Sequence, residues 1–296
     1  MTKSAGAAHT LSYLQPAPYL KNFVRCYAQR SACIADGLLV HPVHARVAPI
    51  LEFIFGDRIV FAQCDGKPSR TSPSSALIGM QTHRRGELHI RGTHDSFIIL
   101  FQPAALERLF ALPAREFTDS DFDAQSVLGP QIPLLQERLA ECRSAEQRAF
   151  IADRFLLKRA LAAGSLDGVT VAANQIVRAA GRVRLSAMAD RAGLSLRQFE
   201  RRFVSQVGMS PKLVGQIARF EATLDRMARC TGTSWTEIAH RFGYYDQMHM
   251  VHEFAEFTRS TPTNTLHNLE SLFHQQIEES RSHPPPVSTT GERWIL

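Results

Sequence analysis

The apolar positions of this chain follow two spacings. Between residues 23 and 101 they come in short apolar or alternating runs, at 23–29, 47–55, 58–63, 76–81, 87–91 and 96–101. Breakers separate the runs: Gly56-Asp57, Asp65-Gly66-Lys67-Pro68 and Arg91-Gly92-Thr93. Period-two runs between turn signals predict strands, and Phe55-Gly56-Asp57-Arg58 reads as a hairpin tip. Several short strands of this kind predict a small barrel or sandwich. Phe53, Phe55 and Phe61 read as its core, and would line a pocket if the barrel interior held one. From Pro103 onward the spacing lengthens to three and four, predicting helices over 104–111, 132–142 and 145–163.

Gly164-Ser165-Leu166-Asp167-Gly168 interrupts that pattern and reads as a flexible joint. It divides an N-terminal domain, residues 1–163, from a helical one, residues 170–279, with a linker at 164–169. In the second domain one plan occurs twice. LSAMADRAGLSLRQFERRFVSQVGMSP spans 185–211, and TSWTEIAHRFGYYDQMHMVHEFAEFTRSTP spans 233–262. In the first copy Ser186 reads as an N-cap, Ala192-Gly193-Leu194 as a tight turn and Ser195 as the cap of a second helix. Leu196, Phe199, Phe203 and Val207 are spaced for its inner face, leaving Arg197, Gln198, Glu200 and Arg201 outside. Gly208 ends that helix and Pro211 opens the next. In the second copy Ser234 or Thr233 caps a helix, with Glu237 near the capping-box position. Gly243 is the turn and Asp246 caps the following helix. Its inner stripe is Met250, Phe254 and Phe257, and Gln247, Met248, Val251 and His252 face outward.

Helix, tight turn, helix is the plan of a unit that lays its second helix in a major groove. Between the copies, Leu213, Ile217, Phe220, Leu224 and Met227 mark one amphipathic helix over 212–229, roughly 27 Å long at 1.5 Å per residue. Two outward helices at its ends can stand about one DNA turn apart, on the order of 34 Å. One chain then reads an asymmetric site without a two-fold partner. Further on, Leu266, Leu269, Phe273 and Ile277 suggest a closing helix, and 280–296 reads as a disordered tail.

Residues 170–270 resemble the DNA-binding domain of the AraC/XylS family of bacterial transcription regulators. LSLRQFERRF, GMSP, the connecting helix, EIAHRFGYYDQMHMVHEF and TRSTP carry the resemblance. It implies base reading by Arg197, Glu200 and Arg201 in the first unit, with Gln198 beside them, and by Gln247, Met248, Val251 and His252 in the second. One departure stands out: His252 occupies a place where the family usually has Arg, which holds a guanine edge with two donors. LIGMQT at 77–82 and SFIILFQP at 96–103 resemble a cupin-like sensor barrel followed by helices, seen in one group of the family. The resemblance implies an α+β protein of two domains. The partners it implies are double-stranded DNA and, as open possibilities, a small-molecule effector, a second copy of the chain, and RNA polymerase if it activates.

Charge fits that reading. The chain has 34 Lys and Arg against 28 Asp and Glu, and residues 174–270 hold 13 against 9, an excess suited to a focused patch. Five cysteines without a C-x-x-C pair read as free thiols in a reducing compartment. Neither a signal-peptide plan nor a run of about 18 apolar residues is present, so the expectation is a cytoplasmic protein without a membrane span. His41, His44 and Glu52, and then His83, His89 and His94, are the residues a cupin-type metal site would draw on. Their spacing forms no tight H-x-H pair, and ordinary hydrogen-bonded histidines are the expectation. Arg84-Arg85 reads as a charged loop tip, with binding of an anionic effector as the alternative. No phosphate loop, nucleophile elbow or zinc-protease motif occurs, so the expectation is a protein without catalysis, cofactor or metal. Two alternatives stay open: a constitutive regulator whose N-terminal domain only dimerises, and a bifunctional protein with a cupin-type metalloenzyme domain.

Overall fold

A computed structural model describes residues 8–229 and 234–265. The expected closing helix, the tail and Thr233 lie outside the described residues. The N-terminal half is built on one antiparallel sheet of eight strands: β1 (Ala8–Leu14), β2 (Val24–Val43), β3 (Ile50–Ile54), β4 (Val60–Gln63), β5 (Arg70–Thr71), β6 (Ser75–Ile78), β7 (Gly86–Phe101) and β8 (Asp121–Asp123). The main path runs β1-β2-β7-β3-β6-β8, with β4 on β7 and β5 on β4. β1 and the three-residue β8 end this path unjoined, so the sheet is open and curved where a closed barrel was expected.

Two turn signals proved to be bends. The expected strands 87–91 and 96–101 are both part of β7, and Arg91-Gly92-Thr93 lies inside it. Gly92 has φ +65°, and it pairs with Ile34 where the register of β2 shifts. Glycine tolerates that left-handed backbone, so the strand bends there and stays paired on both sides. β2 likewise continues to Val43, beyond the expected 23–29. Phe55-Gly56-Asp57-Arg58 is not a hairpin tip either. β3 and β4 pair with successive stretches of the same edge of β7, residues 96–100 and then 86–89. The intervening backbone keeps contact, Phe55 N donating to Asp95 O at 2.8 Å and Asp57 N to Thr93 O at 2.7 Å. The Asp65-Gly66-Lys67-Pro68 signal does join two paired strands, β4 and β5.

Alternation then decides which face each residue takes. Tyr27, Leu51, Phe53, Phe97, Ile99 and Phe101 point to one face and are buried against helices. These helices are α1 (Ala105–Phe110), α2 (Ala114–Phe117), α3 (Ala124–Leu128), α4 (Gln131–Ala140) and α5 (Ala145–Ala163). Arg148 of α5, 7% exposed, ties this layer to the sheet. It donates to Asp95 Oδ2 at 2.9 Å, Gln29 Oε1 at 2.8 Å and Leu139 O at 3.0 Å, and lies over the Phe55 ring. The opposite, concave face carries Cys26, Ala28, Ile50, Ile98 and Leu100, together with Arg30 and Glu52.

The C-terminal half is helical: α6 (Gly168–Arg178), α7 (Leu185–Arg191), α8 (Leu196–Val207), α9 (Pro211–Arg229), α10 (Trp235–Phe242) and α11 (Gln247–Thr258). Ser195 and Gln198 form a capping box on α8, Ser234 caps α10 and Asp246 caps α11. Gly208 and Gly243 end α8 and α10 in left-handed geometry. Two local expectations fail. α7 begins at Leu185, so Ser186 lies within its first turn and caps nothing. Leu196 is 44% exposed, because the first residue of α8 projects past the core that Phe199, Phe203 and Val207 fill. The joint at 164–167 is held by Arg108 of α1, which donates to the carbonyls of Ala163 and Ser165. Asp167 then caps α6 through Thr170 N at 2.8 Å.

The turn after α6 approaches α9 closely at Gly181 and Gly215. Gly181 has φ +73°, and a Cβ there would collide with the Gly215 carbonyl. Gly181→Ala should therefore lower stability by more than about 1 kcal/mol in urea unfolding of the full chain. An unchanged unfolding midpoint would mean that the crossing is looser than described.

Candidate functional site

Each copy of the repeated plan places its second helix, α8 or α11, with one face in solvent. On α8, Arg197, Gln198, Glu200, Arg201 and also Arg202 are exposed. Gln198 is partly committed: its Oε1 accepts from Ser195 N and from Ser195 Oγ, both at 3.1 Å. On α11, Gln247, Met248 and His252 are exposed, whereas Val251 is half-buried. Tyr245, just before the helix, is 87% exposed and was not singled out from sequence. Its neighbour Tyr244 is buried, and burial pushes its phenol upward in pKa. His249 is held in place. Its Nδ1 accepts from Tyr245 N at 3.2 Å, its Nε2 lies 3.5 Å from Glu253, and its ring meets Tyr244 edge-on.

α9 joins the two units and also docks the whole helical half on the sheet. Phe220 packs against Phe254 and Phe257 of α11, with ring centroids 4.9 and 5.4 Å apart, and meets the His44 ring at 6.5 Å. Beside it, Glu221 accepts from Arg25 Nη1 at 3.0 Å and from Val47 N at 3.1 Å. Arg219, one turn from Thr223, pairs with the buried Glu253 of α11. Ala45, Val47, Met80 and Ala104 join the apolar core of the helical half, so the two halves share one core. Arg84, expected at a charged loop tip, pairs with Glu87 and donates to Thr258 O at the end of α11.

Between the concave face and α9 lies a cavity of about 100 Å³. Ile50, Ile98, Leu100, Phe61 and Leu88 supply its apolar sheet wall, and Phe220, Glu221, Leu224 and Asp225 its helical wall. The expected pocket position, inside a closed barrel, is thus replaced by a half-open sheet lidded by a helix about 170 residues further on. Phe61 lines the cavity, Phe53 faces the other way into the core, and Phe55 lies under Arg148.

The cavity's polar groups are unusual for so apolar a space. Arg46 donates Nε to Ala48 O at 2.9 Å, but its Nη2 is buried without a hydrogen-bond partner. Burial lowers its pKa to about 10, against the opposing pull of Glu221 and Glu52. Arg30 and Glu52 stand 3.7 Å apart, an ion pair too long to be a hydrogen bond. Arg30 Nη1, Glu52 Oε1 and Gln81 Oε1 are likewise buried without hydrogen-bond partners, as are both ring nitrogens of His44. His94 is engaged instead, with Asp57 O and Ser96 Oγ each at 3.2 Å, and burial together with Arg30 lowers its pKa. Among the described residues, no three His, Cys, Asp or Glu side chains gather as metal ligands would. No helix among them is long and apolar enough to cross a membrane.

Residues 188–268 match the family model of a helix-turn-helix domain, and residues 12–123 match a domain of unknown function (DUF6597). Among solved structures, the chain is similar to ToxT from Vibrio cholerae O395. Identity is 10% over 90% of this chain and 99% of that one, with a TM-score of 0.44. It is also similar to unsaturated fatty acid-bound ToxT from Vibrio cholerae strain SCE256, at 9% identity over 90% and 96% of the two chains, TM-score 0.41. A search of the curated proteins found no match. Residues 188–268 are thus a helix-turn-helix domain, in which α8 and α11 are the second helices of the two units.

His44 sets a pH limit on the docked arrangement. Burial, with help from Arg84, lowers its pKa to about 3. The unfolded chain therefore takes up this proton first as the pH falls, and stability is lost progressively below the ordinary histidine value of about 6.5. At pH 5.5 the loss from this residue is on the order of 1 kcal/mol. Urea unfolding at pH 7.5 and 5.5 should show a smaller pH effect for His44→Gln than for the parent. Equal losses in both proteins would mean that the ring is not sealed from water when folded.

Proposed function

We propose that this chain is a ligand-responsive DNA-binding transcription regulator of the AraC type, that its effector occupies the cavity between the concave sheet and α9, and that α8 and α11 read successive major grooves. One observation carries the coupling: Phe220 lines the cavity and packs on α11. A molecule that pushes on Phe220 or replaces a partner of Glu221 changes how α9 sits, and with it the placing of both readers. An effector shifts the equilibrium only as far as it favours one docked arrangement over the other. Buried, unsatisfied donors such as Arg46 Nη2 favour a small effector with an acidic group beside an apolar portion.

In this reading Arg197, Glu200 and Arg201 face base edges from α8, and Gln247, Met248, Val251 and His252 do so from α11. Gln198 serves α8 chiefly as its capping partner. Arg202 and Tyr245 are added as backbone contacts, since phosphate and sugar take half or more of such bonds. A second reading, that the N-terminal half also pairs with a second copy, is favoured by Phe150 and Leu161 of α5, which are 62% and 71% exposed.

Arg201→Ala should weaken binding to the preferred duplex by about 1–3 kcal/mol and relax the preference at one base pair. Gel-shift titration against single-base variants of the site measures both effects, and an unaltered preference removes Arg201 from the reading set. For the effector site, Arg46→Met should abolish the DNA-binding response to whichever small acids raise the melting temperature of the parent. A response that survives intact in this variant places the effector elsewhere.

A further inference from the structure

The tips of the two reader helices differ in chemistry. α8 exposes Arg197, Arg201 and Arg202 with a single carboxylate, Glu200. From Gln247 to Thr258, α11 has no Lys or Arg at all. Its two carboxylates are Glu253, buried in its pair with Arg219, and the exposed Glu256. In place of charge, α11 presents Met248, 59% exposed, on the same face as the half-buried Val251 one turn later. An apolar side chain of that size left in water at the tip of a reader helix calls for an apolar partner. The apolar group that a base pair offers in the major groove is the thymine methyl.

Gln247 points the same way. Thr236 Oγ1 of α10 donates to Gln247 Oε1 at 3.1 Å across the turn of the unit. This bond uses one lone pair of the amide oxygen and orients the amide plane. The second lone pair and both N–H groups remain for a ligand. An amide held so that it can accept and donate side by side matches N6 and N7 of adenine. The outward groups of α8 match the other pair: Arg suits guanine O6 and N7, and Glu accepts from cytosine N4. Leu196 is exposed at the start of α8 as well, so the contrast lies in the charged positions.

We infer that the two readers address different base-pair chemistry, α8 a block containing G·C pairs and α11 a block of A·T pairs, with Thr236 as the positioning residue for Gln247. The inference rests on the DNA reading proposed above. Of the two helices, it also makes α8 the main source of phosphate attraction, because α11 carries no Lys or Arg.

Selection of random duplexes by the full-length chain tests this directly. Two blocks about one helical turn apart are expected, one with G·C pairs and one of A·T pairs. In the winning site, replacing a contacted thymine of the second block by deoxyuridine removes only the methyl. That should weaken binding about fourfold, the ratio for one buried methyl group. Gln247→Arg should move the preferred base at one position from A to G. Thr236→Val should relax the preference for A there and leave the first block unchanged. A second block rich in G·C pairs, or affinity indifferent to the thymine methyls, overturns the assignment while the tandem DNA reading stands. Enrichment of the first block alone also overturns it, because α11 then reads nothing. Enrichment of neither block overturns the DNA reading itself, and the assignment with it.

Discussion

The arrangement of this protein depends on α9 being shared between two packing problems. One part of its surface must fill the centre of the helical half, where residues of both helix-turn-helix units join one apolar core. Phe220 meets this demand through Phe254 and Phe257. Another part faces the sheet, where Glu221 answers Arg25 and the Val47 amide. One helix thus touches both the concave face of the sheet and α11. Close-packed interiors transmit displacements because they have few voids to absorb them. Asn174, which donates to Asn22 O at 2.9 Å, and Thr118, which donates to Gly208 O at 3.3 Å, fasten the same boundary at other points.

The sheet makes this coupling available by staying open. A closed barrel would turn its inner residues onto one another and fill its centre with side chains. Here one face is covered by α1, α4 and α5, and the other keeps Arg30, Glu52, Arg46 and His44 in a space that α9 helps to cover. Buried charges with open donors and acceptors are costly to a fold. Arg30, Glu52, Arg46 and His44 gather such groups at the boundary between the two halves. Behind the sheet the buried Arg148 is instead matched by Asp95, Gln29 and the Leu139 carbonyl.

The two readers share a plan but not a surface. Their caps, turns and inner aromatics correspond, so both units fold by the same local rules. The outward positions are under no packing constraint, and there they diverge: guanidinium groups on α8, thioether, amide and imidazole on α11. A scaffold that fixes the spacing of two helices leaves their exposed faces free to specify different base pairs.

Much of the helical half was legible in the sequence for a physical reason. Caps and turns are settled by residues within one or two turns of each other. Ser195, Ser234, Asp246, Gly208 and Gly243 act where their local chemistry says they should, and the inner stripes, Leu196 apart, follow from a period of 3.6. The sheet was only half legible. Alternation located most of its strands and their two faces, but Gly92 looked like a break and proved to be a bend, because pairing partners far along the chain hold the strand together on both sides of it. Phe55-Gly56-Asp57-Arg58 looked like a reversal and is a step along one edge of β7, for the same reason. The site was least legible. By itself the sequence determined two helix-turn-helix units, the helix between them and a sheet with one apolar face. Tertiary structure alone decided that the sheet stays open, that α9 closes its hollow, and that His44, Arg46 and Phe220 meet there, since these contacts join residues more than 170 positions apart and leave no periodic trace in either segment.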